Sequence, residues 1–463
     1  MSRYIAVVGA GPAGLAAATA ARARGAEVVL IDEAAQPGGQ IYRQPLEGLD
    51  LPAPASPAEA TRKTALLAAF DAIRSEIDYR SGTTAHALYP GPELHIADAH
   101  RSEVLKPDAV ILATGVTERA LPFPGWTLPG VLYAGGMQAL LKGQGVLPPE
   151  PVAVVGTGPL PLVVAAELVA AGAEVAVVAL AQPFRRMARR PLGLWAGREA
   201  VREGIEHIRS LSSAKVPVLQ GWLPLRAEGG DRIEAVVLAP TDGQGGPDAG
   251  RARRVPVATI ALNHGFVANA ELALMAGAEP GFELARGGWH AQADALGRTS
   301  APGIFVAGDA AGLRGARVAA AEGRIVGAAA AESALDPRRL RRELAAAFAE
   351  RRRQGAFQGA VQETLRLPPA AWSVAAPETV ICRCEDVSRA RLETAFATGH
   401  RDLDAIKRNT RAGMGRCGGR GCLATIAALA AAGDPGPQTA PMRGRPLARP
   451  VSLAALANRE GAS

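Results

Sequence analysis

The four cysteines of this 463-residue chain lie near its C-terminal end. They form two close pairs, Cys382-Arg-Cys384 and Cys417-Gly-Gly-Arg-Gly-Cys422, with thirty-two residues between the pairs. Two pairs of thiolates can hold a metal centre, and the glycines after Cys417 would let backbone N–H groups turn toward bridging sulfides. Zinc ribbons usually separate paired cysteines by two to four residues, which the first pair does not match. The pattern predicts a [2Fe–2S] cluster, with structural zinc, free thiols or disulfides as alternatives.

A glycine motif at the opposite end of the chain predicts a dinucleotide site. It follows a short apolar run at Tyr4–Val8, precedes an Ala-rich helical stretch, and is followed by a second apolar run at Glu27–Ile31. Such glycines allow a tight turn, close approach of the backbone to a pyrophosphate, and close packing of helix on strand. Asp32, with Glu33 beside it, follows the second run, where a carboxylate can hold ribose hydroxyls. The predicted phosphate-binding residues are Gly9, Gly11, Pro12, Ala13 and Gly14.

The stretch Gln36-Pro-Gly-Gly-Gln-Ile-Tyr-Arg43 comes shortly after Asp32. Its paired glycines would let the backbone run close to a flat ring system, and Gln40 could hydrogen-bond the edge of that ring. We therefore include Gly39, Gln40 and Arg43 in the predicted site. The alternative is an ordinary loop.

Two more strand ends complete the predicted site. The strand at 109–112 is followed by Ala-Thr114-Gly115. These small residues would let the chain cross beside a bound cofactor. A later strand ends at Gly308-Asp309, whose carboxylate could accept a hydroxyl from a sugar-alcohol chain. The helix at 316–331 would then direct its N-terminus at phosphates. A helix-capping Asp without a ligand is the alternative.

A second strand–glycine–helix unit starts at Pro151 and is altered at critical positions. Its motif reads Gly156-Thr-Gly-Pro-Leu-Pro161, so proline replaces the third glycine. Eighteen residues later stands Ala179, which offers no carboxylate to a ribose. Arg185 or Arg186 could meet a nucleotide phosphate, although a solvated basic loop explains them as well. A second nucleotide, NAD(P) or ATP, is therefore left open.

Composition limits the classes of protein that fit. A chain of 463 residues predicts two or three domains. The net charge of +7 is carried by dispersed arginines rather than by one patch with stacking aromatics, so we expect no nucleic-acid partner. No uninterrupted apolar run of about eighteen residues predicts a membrane span. The N-terminal run lacks a basic segment and the cysteines do not resemble an oxidised scaffold, so we expect a cytoplasmic protein.

The first 335 residues resemble the two-domain flavoproteins of the pyridine nucleotide–disulfide reductase class. The resemblance is carried by the glycine motif, Asp32, Ala-Thr114-Gly115 and Gly308-Asp309. It implies FAD in the first domain. Because no cysteine precedes position 382, a redox-active disulfide beside the flavin is excluded, and with it disulfide reductase activity.

Residues after 376 resemble the [2Fe–2S] domain of bacterioferritin-associated ferredoxin, in their cysteine spacing and in the Lys407-Arg-Asn-Thr-Arg-Ala-Gly-Met-Gly run. The whole chain resembles the α subunits of heteromeric dehydrogenases: opine oxidases, hydrogen cyanide synthase, and proline or hydroxyproline dehydrogenases. The resemblance implies an α/β fold with two Rossmann-like dinucleotide-binding domains and a small C-terminal [2Fe–2S] domain like that of bacterioferritin-associated ferredoxin. The expected boundaries are 1–120 with 290–335 for FAD, 121–289 for the second domain, 336–376 for a linker, 377–433 for the cluster and 434–463 for an extended tail.

The same resemblance implies a catalytic flavoprotein β subunit, with a further small subunit as a possible addition. The chain would then relay electrons between the partner's flavin, the [2Fe–2S] cluster and its own FAD. Two rival functions remain: a self-sufficient NAD(P)H-dependent oxidoreductase, and an iron–sulfur docking module. No acid–base pair for amine oxidation can be assigned from spacing, so the catalytic residues stay unknown.

Overall fold

The computed structural model describes residues 2–46, 48–49, 56–119, 121–283, 286–332, 336–431 and 444–458. Its strands are β1 (Tyr4–Val8), β2 (Glu27–Ile31), β3 (Asp78–Arg80), β4 (Thr84–Tyr89), β5 (Glu93–Ala97), β6 (Ser102–Leu105), β7 (Ala109–Leu112), β8 (Val116–Glu118), β9 (Val131–Tyr133), β10 (Val152–Gly156), β11 (Val175–Leu180), β12 (Val218–Gln220), β13 (Trp222–Glu228), β14 (Ala235–Pro240), β15 (Arg253–Pro256), β16 (Thr259–Asn263), β17 (Phe266–Ala268), β18 (Pro280–Glu283), β19 (Gly288–Ala291), β20 (Ile304–Val306), β21 (Val380–Cys382) and β22 (Val387–Ser388). Its helices are α1 (Pro12–Arg22), α2 (Pro57–Asp71), α3 (Ala134–Gln144), α4 (Leu160–Ala170), α5 (Pro191–Ala196), α6 (Arg198–Ser213), α7 (Glu271–Met275), α8 (Ala316–Ala331), α9 (Pro337–Glu343), α10 (Ala345–Leu365), α11 (Arg389–Ala397), α12 (Leu403–Thr410), α13 (Leu423–Ala430) and α14 (Leu453–Ala457).

Two five-stranded parallel sheets dominate the fold. Their strand orders are β20-β7-β1-β2-β3 and β12-β11-β10-β16-β9. In both sheets the strand that leads into a glycine motif, β1 or β10, is central. These strands are apolar throughout because both faces of each sheet are covered. In the first domain α1 and α8 pack on one face, and the antiparallel strands β4–β6 pack on the other. In the second domain β13 and β14 cover one face. The arrangement confirms the predicted α/β fold with two Rossmann-like domains.

The two domains are joined by the antiparallel pair β8 and β17, in which Thr117 lies opposite Val267. Helices α9 and α10 lie in the segment that we predicted to be a linker. Leu340 belongs to the core of the first domain, whereas Phe357 and Val361 pack with Met187 of the second domain. The segment therefore braces both domains against each other.

The last domain contains β21, β22 and α11–α13 around a small apolar core that also includes Trp289. The tail that we predicted to be extended is described only at 444–458, where it contains α14; residues 434–443 and 459–463 lie outside the described part. It runs along the first domain: the N–H of Ala448 donates to His86 O at 2.7 Å, and the N–H of Ser102 donates to Asn458 O at 3.1 Å.

Helices α1 and α8 approach each other with almost no side chain between them. A Cβ added at Gly323 would lie 2.1 Å from Ala13 O, and one added at Gly327 would lie 2.2 Å from Ala17 O. Ala17 and Ala13 are buried with 0% and 5% of their surface exposed. Small residues on both helices thus set how closely they pack, because protein interiors leave few voids and tolerate little extra volume.

We expect Gly327→Ala to destabilise the chain by about 1–3 kcal/mol, because its methyl group would meet main-chain atoms that cannot move aside. The matched control is Gly359→Ala, since an added Cβ in that part of α10 meets nothing within 4 Å. Removing that glycine from a helix should increase stability by roughly 0.5–1 kcal/mol. Urea unfolding of both variants measures the difference, and equal effects would contradict the packing argument.

Candidate cofactor sites

The glycine motif brings three parts of the main chain into direct contact. Gly9 has a φ of 104°, and a Cβ there would lie 2.5 Å from Ala113 O. A Cβ at Gly14 would lie 1.7 Å from Gly9 O. Gly39 has a φ of 63°, and its Cβ would lie 2.8 Å from the Cα of Gly11. Side chains at these positions would separate β1, α1 and the loop after β2.

The N-terminus of α1 faces this turn. Pro12 stands in its first turn, Ala13 follows, and no side chain caps the helix. A Cβ at Gly11 would approach only Gly39, at 3.8 Å. Uncapped N–H groups beside an open main-chain groove suit a pyrophosphate. These residues therefore fit the predicted dinucleotide, and their individual contacts with it remain predictions.

Asp32 follows β2 directly and holds the glycine turn in place. Its carboxylate accepts hydrogen bonds from the backbone N–H groups of Ala10 and, at 2.7 Å, Ala34. Burial raises the pKa of Asp32, and the two N–H groups oppose that rise. Glu33 beside it is exposed. The ribose contact of either carboxylate stays a prediction.

The loop that contains Gln40 and Arg43 is fixed by its own hydrogen bonds. Arg43 Nη2 donates to Gln40 Oε1 at 2.6 Å, and Lys63 Nζ donates to Arg43 O at 3.0 Å. Gln40 is exposed, and because its Oε1 already accepts from Arg43, its N–H₂ group is the part that could donate to the edge of a ring. Both residues lie on the loop that Gly39 packs against α1, as the prediction requires.

Asn269 holds the chain crossing at Thr114 and Gly115 through hydrogen bonds. The sequence did not predict Asn269 to be part of the site. Asn269 Nδ2 donates to Thr114 O at 3.0 Å, and Thr114 Oγ1 donates to Asn269 O at 2.6 Å. The Asn269 N–H donates to Gly115 O at 3.0 Å, and Thr117 Oγ1 donates to Asn269 Oδ1 at 2.7 Å. These hydrogen bonds lock the two inter-domain strands beside the site.

Gly308 and Asp309 lie at the end of β20, against the start of α1. A Cβ at Gly308 would lie 2.9 Å from Ala13 Cβ. Asp309 Oδ1 accepts from the backbone N–H groups of Arg314 and Gly315, both at 2.7 Å. Burial raises the pKa of Asp309 against those two bonds. The structure thus brings the Gly308 turn to the phosphate end of the predicted site.

The Gly308 turn is itself held by Glu322, a residue that the sequence did not single out. Glu322 Oε2 accepts from the N–H of Gly308 at 3.1 Å, and its other oxygen pairs with the Arg314 guanidinium. Only 4% of Glu322 is exposed, and burial is the largest cause of its raised pKa. One buried carboxylate therefore ties both ends of the turn that carries Asp309.

In the second domain, Gly156 is the counterpart of Gly9, and Pro161 occupies the position of the third glycine. A Cβ at Gly156 would lie 1.8 Å from Asn263 O and 3.0 Å from Pro161 Cγ, so the absent side chain makes room for Pro161. β11 continues to Leu180, so the position after the strand, equivalent to Asp32, is Ala181 rather than the predicted Ala179. The consequence is unchanged, because neither residue offers a carboxylate.

Arg185 and Arg186 lie on an exposed 3-10 turn at Phe184–Arg189. Arg186 Nη1 donates to Gln182 Oε1 at 2.7 Å. Nothing in this arrangement favours a nucleotide phosphate over solvent, so the second nucleotide stays open.

The four cysteines converge from the two predicted pairs but associate differently. Cys382 lies against Cys422, and Cys384 against Cys417, each pair close enough for a thiol–thiol hydrogen bond. The two pairs lie near each other, since Cys417 and Cys384 both act electrostatically on Cys422. Among the described residues, no group of three or more His, Cys, Asp or Glu side chains is arranged to hold a single metal ion. Cys382 and Cys422 are buried, whereas Cys384 is exposed.

Main-chain donors surround the buried thiol of Cys382. The thiol of Cys422 and the N–H groups of Gly413, Glu385 and Cys384 lower the pKa of Cys382 to about 6 against the effect of burial. A thiol that is largely ionised at neutral pH is the form that binds iron. The donor set therefore fits a cluster with four thiolate ligands, and the assignment of Cys382, Cys384, Cys417 and Cys422 as those ligands remains a prediction.

Gly415 also constrains the loop that leads to Cys417. A Cβ at Gly415 would lie 2.2 Å from Cys384 Cβ, so only glycine lets the loop pass the first pair of cysteines.

The cysteine domain docks on the second domain through two aromatic residues. Trp126 Nε1 donates to Val380 O at 2.7 Å, and Arg383 stacks over the Trp126 ring at 5.0 Å. Gly421 stands between Cys417 and Cys422 in the sequence. The Tyr133 hydroxyl lies 4.0 Å from the point where a Cβ added at Gly421 would be. On the opposite side, Arg420 Nη1 donates to Ala448 O at 2.8 Å in the tail. The cysteine loops are thus held between the second domain and the tail that lies on the first domain.

Comparison with known proteins agrees with this architecture. Residues 3–323 match the pyridine nucleotide-disulphide oxidoreductase family, and residues 380–432 match the BFD-like [2Fe-2S] binding domain. The chain is therefore an oxidoreductase of the pyridine nucleotide-disulphide class that carries a BFD-like [2Fe–2S] domain.

Individual proteins of similar sequence identify the family within this class of oxidoreductases. The chain is 36% identical over 428 residues to the HcnB subunit of hydrogen cyanide synthase from Pseudomonas aeruginosa, covering 90% of each chain. It is 33% identical over 476 residues to an opine oxidase subunit of Agrobacterium tumefaciens, covering 98% of this chain and 91% of that one. The chain belongs to the family that these subunits define, as the sequence predicted.

The crystal structure of L-proline dehydrogenase from P. horikoshii has the same fold over 98% of this chain and 79% of that one, with a TM-score of 0.69 and 20% identity. The family matches support FAD and a [2Fe–2S] cluster as the cofactors. No helix in the described residues is long and apolar enough to cross a membrane.

We expect Asp309→Ala to weaken FAD retention more than any change in the second glycine motif. The matched change is Gly158→Ala in the second glycine motif. An added Cβ there meets nothing within 4 Å, and at a φ of 70° it strains only the local turn. Flavin released on gel filtration, measured by absorbance, compares the two variants. If Gly158→Ala releases the flavin first, the two domains have been assigned the wrong way round.

The purified chain should be yellow-brown, with one FAD and about two irons. Cys384→Ser and Cys417→Ser should each abolish the visible bands of the cluster and leave FAD bound, because the two sites use separate parts of the chain. Glu385→Gln, which changes a neighbouring side chain without removing a thiol, should keep the bands. Zinc in place of iron after anaerobic purification would refute the cluster assignment.

Proposed function

We propose that the chain is the electron-transferring subunit of a heteromeric dehydrogenase that oxidises an amino acid, an opine or a related secondary amine. A separate catalytic flavoprotein subunit would oxidise the substrate, and this chain would relay the electrons to an acceptor. The relatives from hydrogen cyanide synthase and opine oxidase are both named as subunits, which supports this proposal. When bound, FAD supplies two-electron chemistry and the cluster supplies one-electron transfer.

The observation that carries the proposal is the unequal burial of the cysteines. Cys382 and Cys422 expose 1% and 3% of their surface, whereas Cys384 is exposed and Cys417 half-buried. One side of the cysteine site therefore faces the protein interior beside Tyr133, and the other side faces solvent. A redox centre with this asymmetry suits transfer between a buried group and a docked partner.

A self-sufficient NAD(P)H-dependent oxidoreductase is the first rival. It requires a nicotinamide nucleotide in the second domain. Ala181 after β11 offers no carboxylate to the ribose, and Pro161 replaces the glycine that would let helix and strand pack closely.

An iron–sulfur docking module is the second rival, from a different class of function. It would not need a groove for FAD. The main-chain contacts at Gly9, Gly14 and Gly39 and the buried Glu322 that orders the Asp309 turn argue for a working flavin site instead.

The buried histidines give no support to a complete catalytic site on this chain. Burial lowers the pKa of His86 to about 4 and that of His264 to about 3, so both are neutral at physiological pH. Neither belongs to the residues assigned to FAD. Since no acid–base pair for amine oxidation can be assigned on this chain, we propose that these catalytic groups lie on the partner.

We expect neither NADH nor NADPH to reduce the flavin at a rate that matters for turnover. Stopped-flow absorbance of the FAD- and iron-loaded chain measures this directly, with dithionite reduction as the control that the flavin is competent. Rapid reduction by either nucleotide would favour the self-sufficient rival.

The chain alone should not reduce an artificial acceptor with octopine, nopaline, proline or hydroxyproline, and should gain activity only when it is co-expressed with its partner. The control is the complex assembled with Cys384→Ser, which keeps the partner's flavin and should lose transfer through the cluster. Substantial turnover by the chain alone, free of a second flavoprotein by mass spectrometry, would place the substrate site here.

A further inference from the structure

Tyr133 brings a hydroxyl group of the second domain to the loop that carries the second pair of cysteines. It is the last residue of β9, where that strand meets α3. Its hydroxyl is 4.0 Å from the Cβ position of Gly421. Cys417 and Cys422 act electrostatically on this hydroxyl, and so does Arg383 in the other cysteine loop. Tyr133 therefore lies beside the cysteine site although it belongs to a different domain.

The Tyr133 hydroxyl has no hydrogen-bond partner among the residues that the structure describes. Its side chain is half-buried against the core of the second domain, and tyrosines in such positions usually give their hydroxyl a partner. The carboxylate that acts on this hydroxyl is that of Glu118, and each of its oxygens already accepts a hydrogen bond. The donors are Asn263 Nδ2 at 2.7 Å and the Gly135 N–H at 2.9 Å. The hydroxyl hydrogen thus remains for an acceptor at the cysteine site.

Packing keeps the cysteine domain next to this hydroxyl. Helix α13, which begins directly after Cys422, contributes Ala428 and Leu429 to the apolar cluster that contains Tyr133. The hydrogen bond from Trp126 to Val380 O holds the same domain at a second point. The position of Tyr133 beside the cysteines is therefore fixed by contacts between folded elements.

The hydroxyl is a donor at neutral pH. Burial raises the pKa of Tyr133 to about 12, against the opposing effect of Arg383. A protonated phenol can donate to an anionic sulfur, and both thiolates and bridging sulfides are such acceptors.

We propose that Tyr133 raises the reduction potential of the [2Fe–2S] cluster by donating a hydrogen bond to one of its sulfurs. Such donors stabilise the reduced state, which carries more negative charge, and are one of the means by which a protein sets a cluster's potential. Main-chain donors around Cys382 come from the cysteine domain itself, whereas Tyr133 belongs to the second domain. The potential would thus depend on the docking of the two domains. This role requires the cluster, and it is independent of the substrate and the partner subunit of the proposed function.

Spectroelectrochemical titration of the FAD- and iron-loaded chain tests the role of Tyr133. Tyr133→Phe removes the hydroxyl and keeps the ring. We expect reduction of its cluster to become about tenfold less favourable, which is a shift of about 59 mV to more negative potential for one electron. Iron content and the visible bands should stay unchanged because the four thiols are untouched. The iron–sulfur stretching bands in resonance Raman spectra should shift, since they respond to hydrogen bonds at sulfur.

Tyr89→Phe is the matched control, because it removes the hydroxyl of an exposed tyrosine on β4 of the first domain. Its cluster potential should equal that of the unchanged chain. An unchanged potential in Tyr133→Phe, or an equal shift in both variants, would overturn the proposal. Loss of the cluster bands from Tyr133→Phe would also overturn it, since the hydroxyl would then hold the cluster instead of setting its potential. The expected shift in a chain that gains no activity with its partner would contradict the proposed function and still support this role of Tyr133.

Discussion

The close approach of α1 to β1 on one side and to α8 on the other is the constraint on which the first domain depends. Gly14 permits the first contact and Gly327 the second, because a Cβ at either position would enter main-chain atoms. Since Gly308 packs on Ala13 at the same helix end, the two halves of the predicted FAD site are brought together by this one helix. A residue distant in sequence thereby becomes part of the site at the first glycine turn.

The second domain meets the same constraint with a different residue and a different outcome. Proline at position 161 brings bulk to the place where a third glycine would let helix and strand meet, and the missing side chain of Gly156 makes room for it. Helix α4 can therefore still pack on β10, but no carboxylate follows β11. The fold of a nucleotide domain can therefore persist without the groups that make it specific for a nucleotide.

Local patterns in the sequence predicted the elements well, and contacts between distant residues poorly. The runs at Tyr4–Val8 and Glu27–Ile31 form strands with those bounds. The apolar spacing over residues 58–77 predicts one helix. The helix instead ends at Asp71 and is followed by a 3-10 turn at Arg74–Glu76, which sequence periodicity does not distinguish from a helix. Asn269 and Glu322 carry no local signal, since their roles arise only when the chain places them beside Thr114 and Gly308. The predicted ligands of either cofactor could be named from motifs, but the residues that hold those ligands in place could not.

Three separate contacts fix the cysteine domain and the two large domains relative to one another. Helix α10 packs on both Rossmann-like domains, Asn269 locks the strands between them, and Trp126 holds the cysteine domain through Val380. In a relay between bound cofactors, the protein supplies their binding, orientation and electrostatic environment. The hydrogen bonds of Asn269 join the two crossing strands to each other, whereas α10 and Trp126 make the contacts that hold the domains together. If the chain serves as the proposed relay, these contacts would hold its cofactors in position.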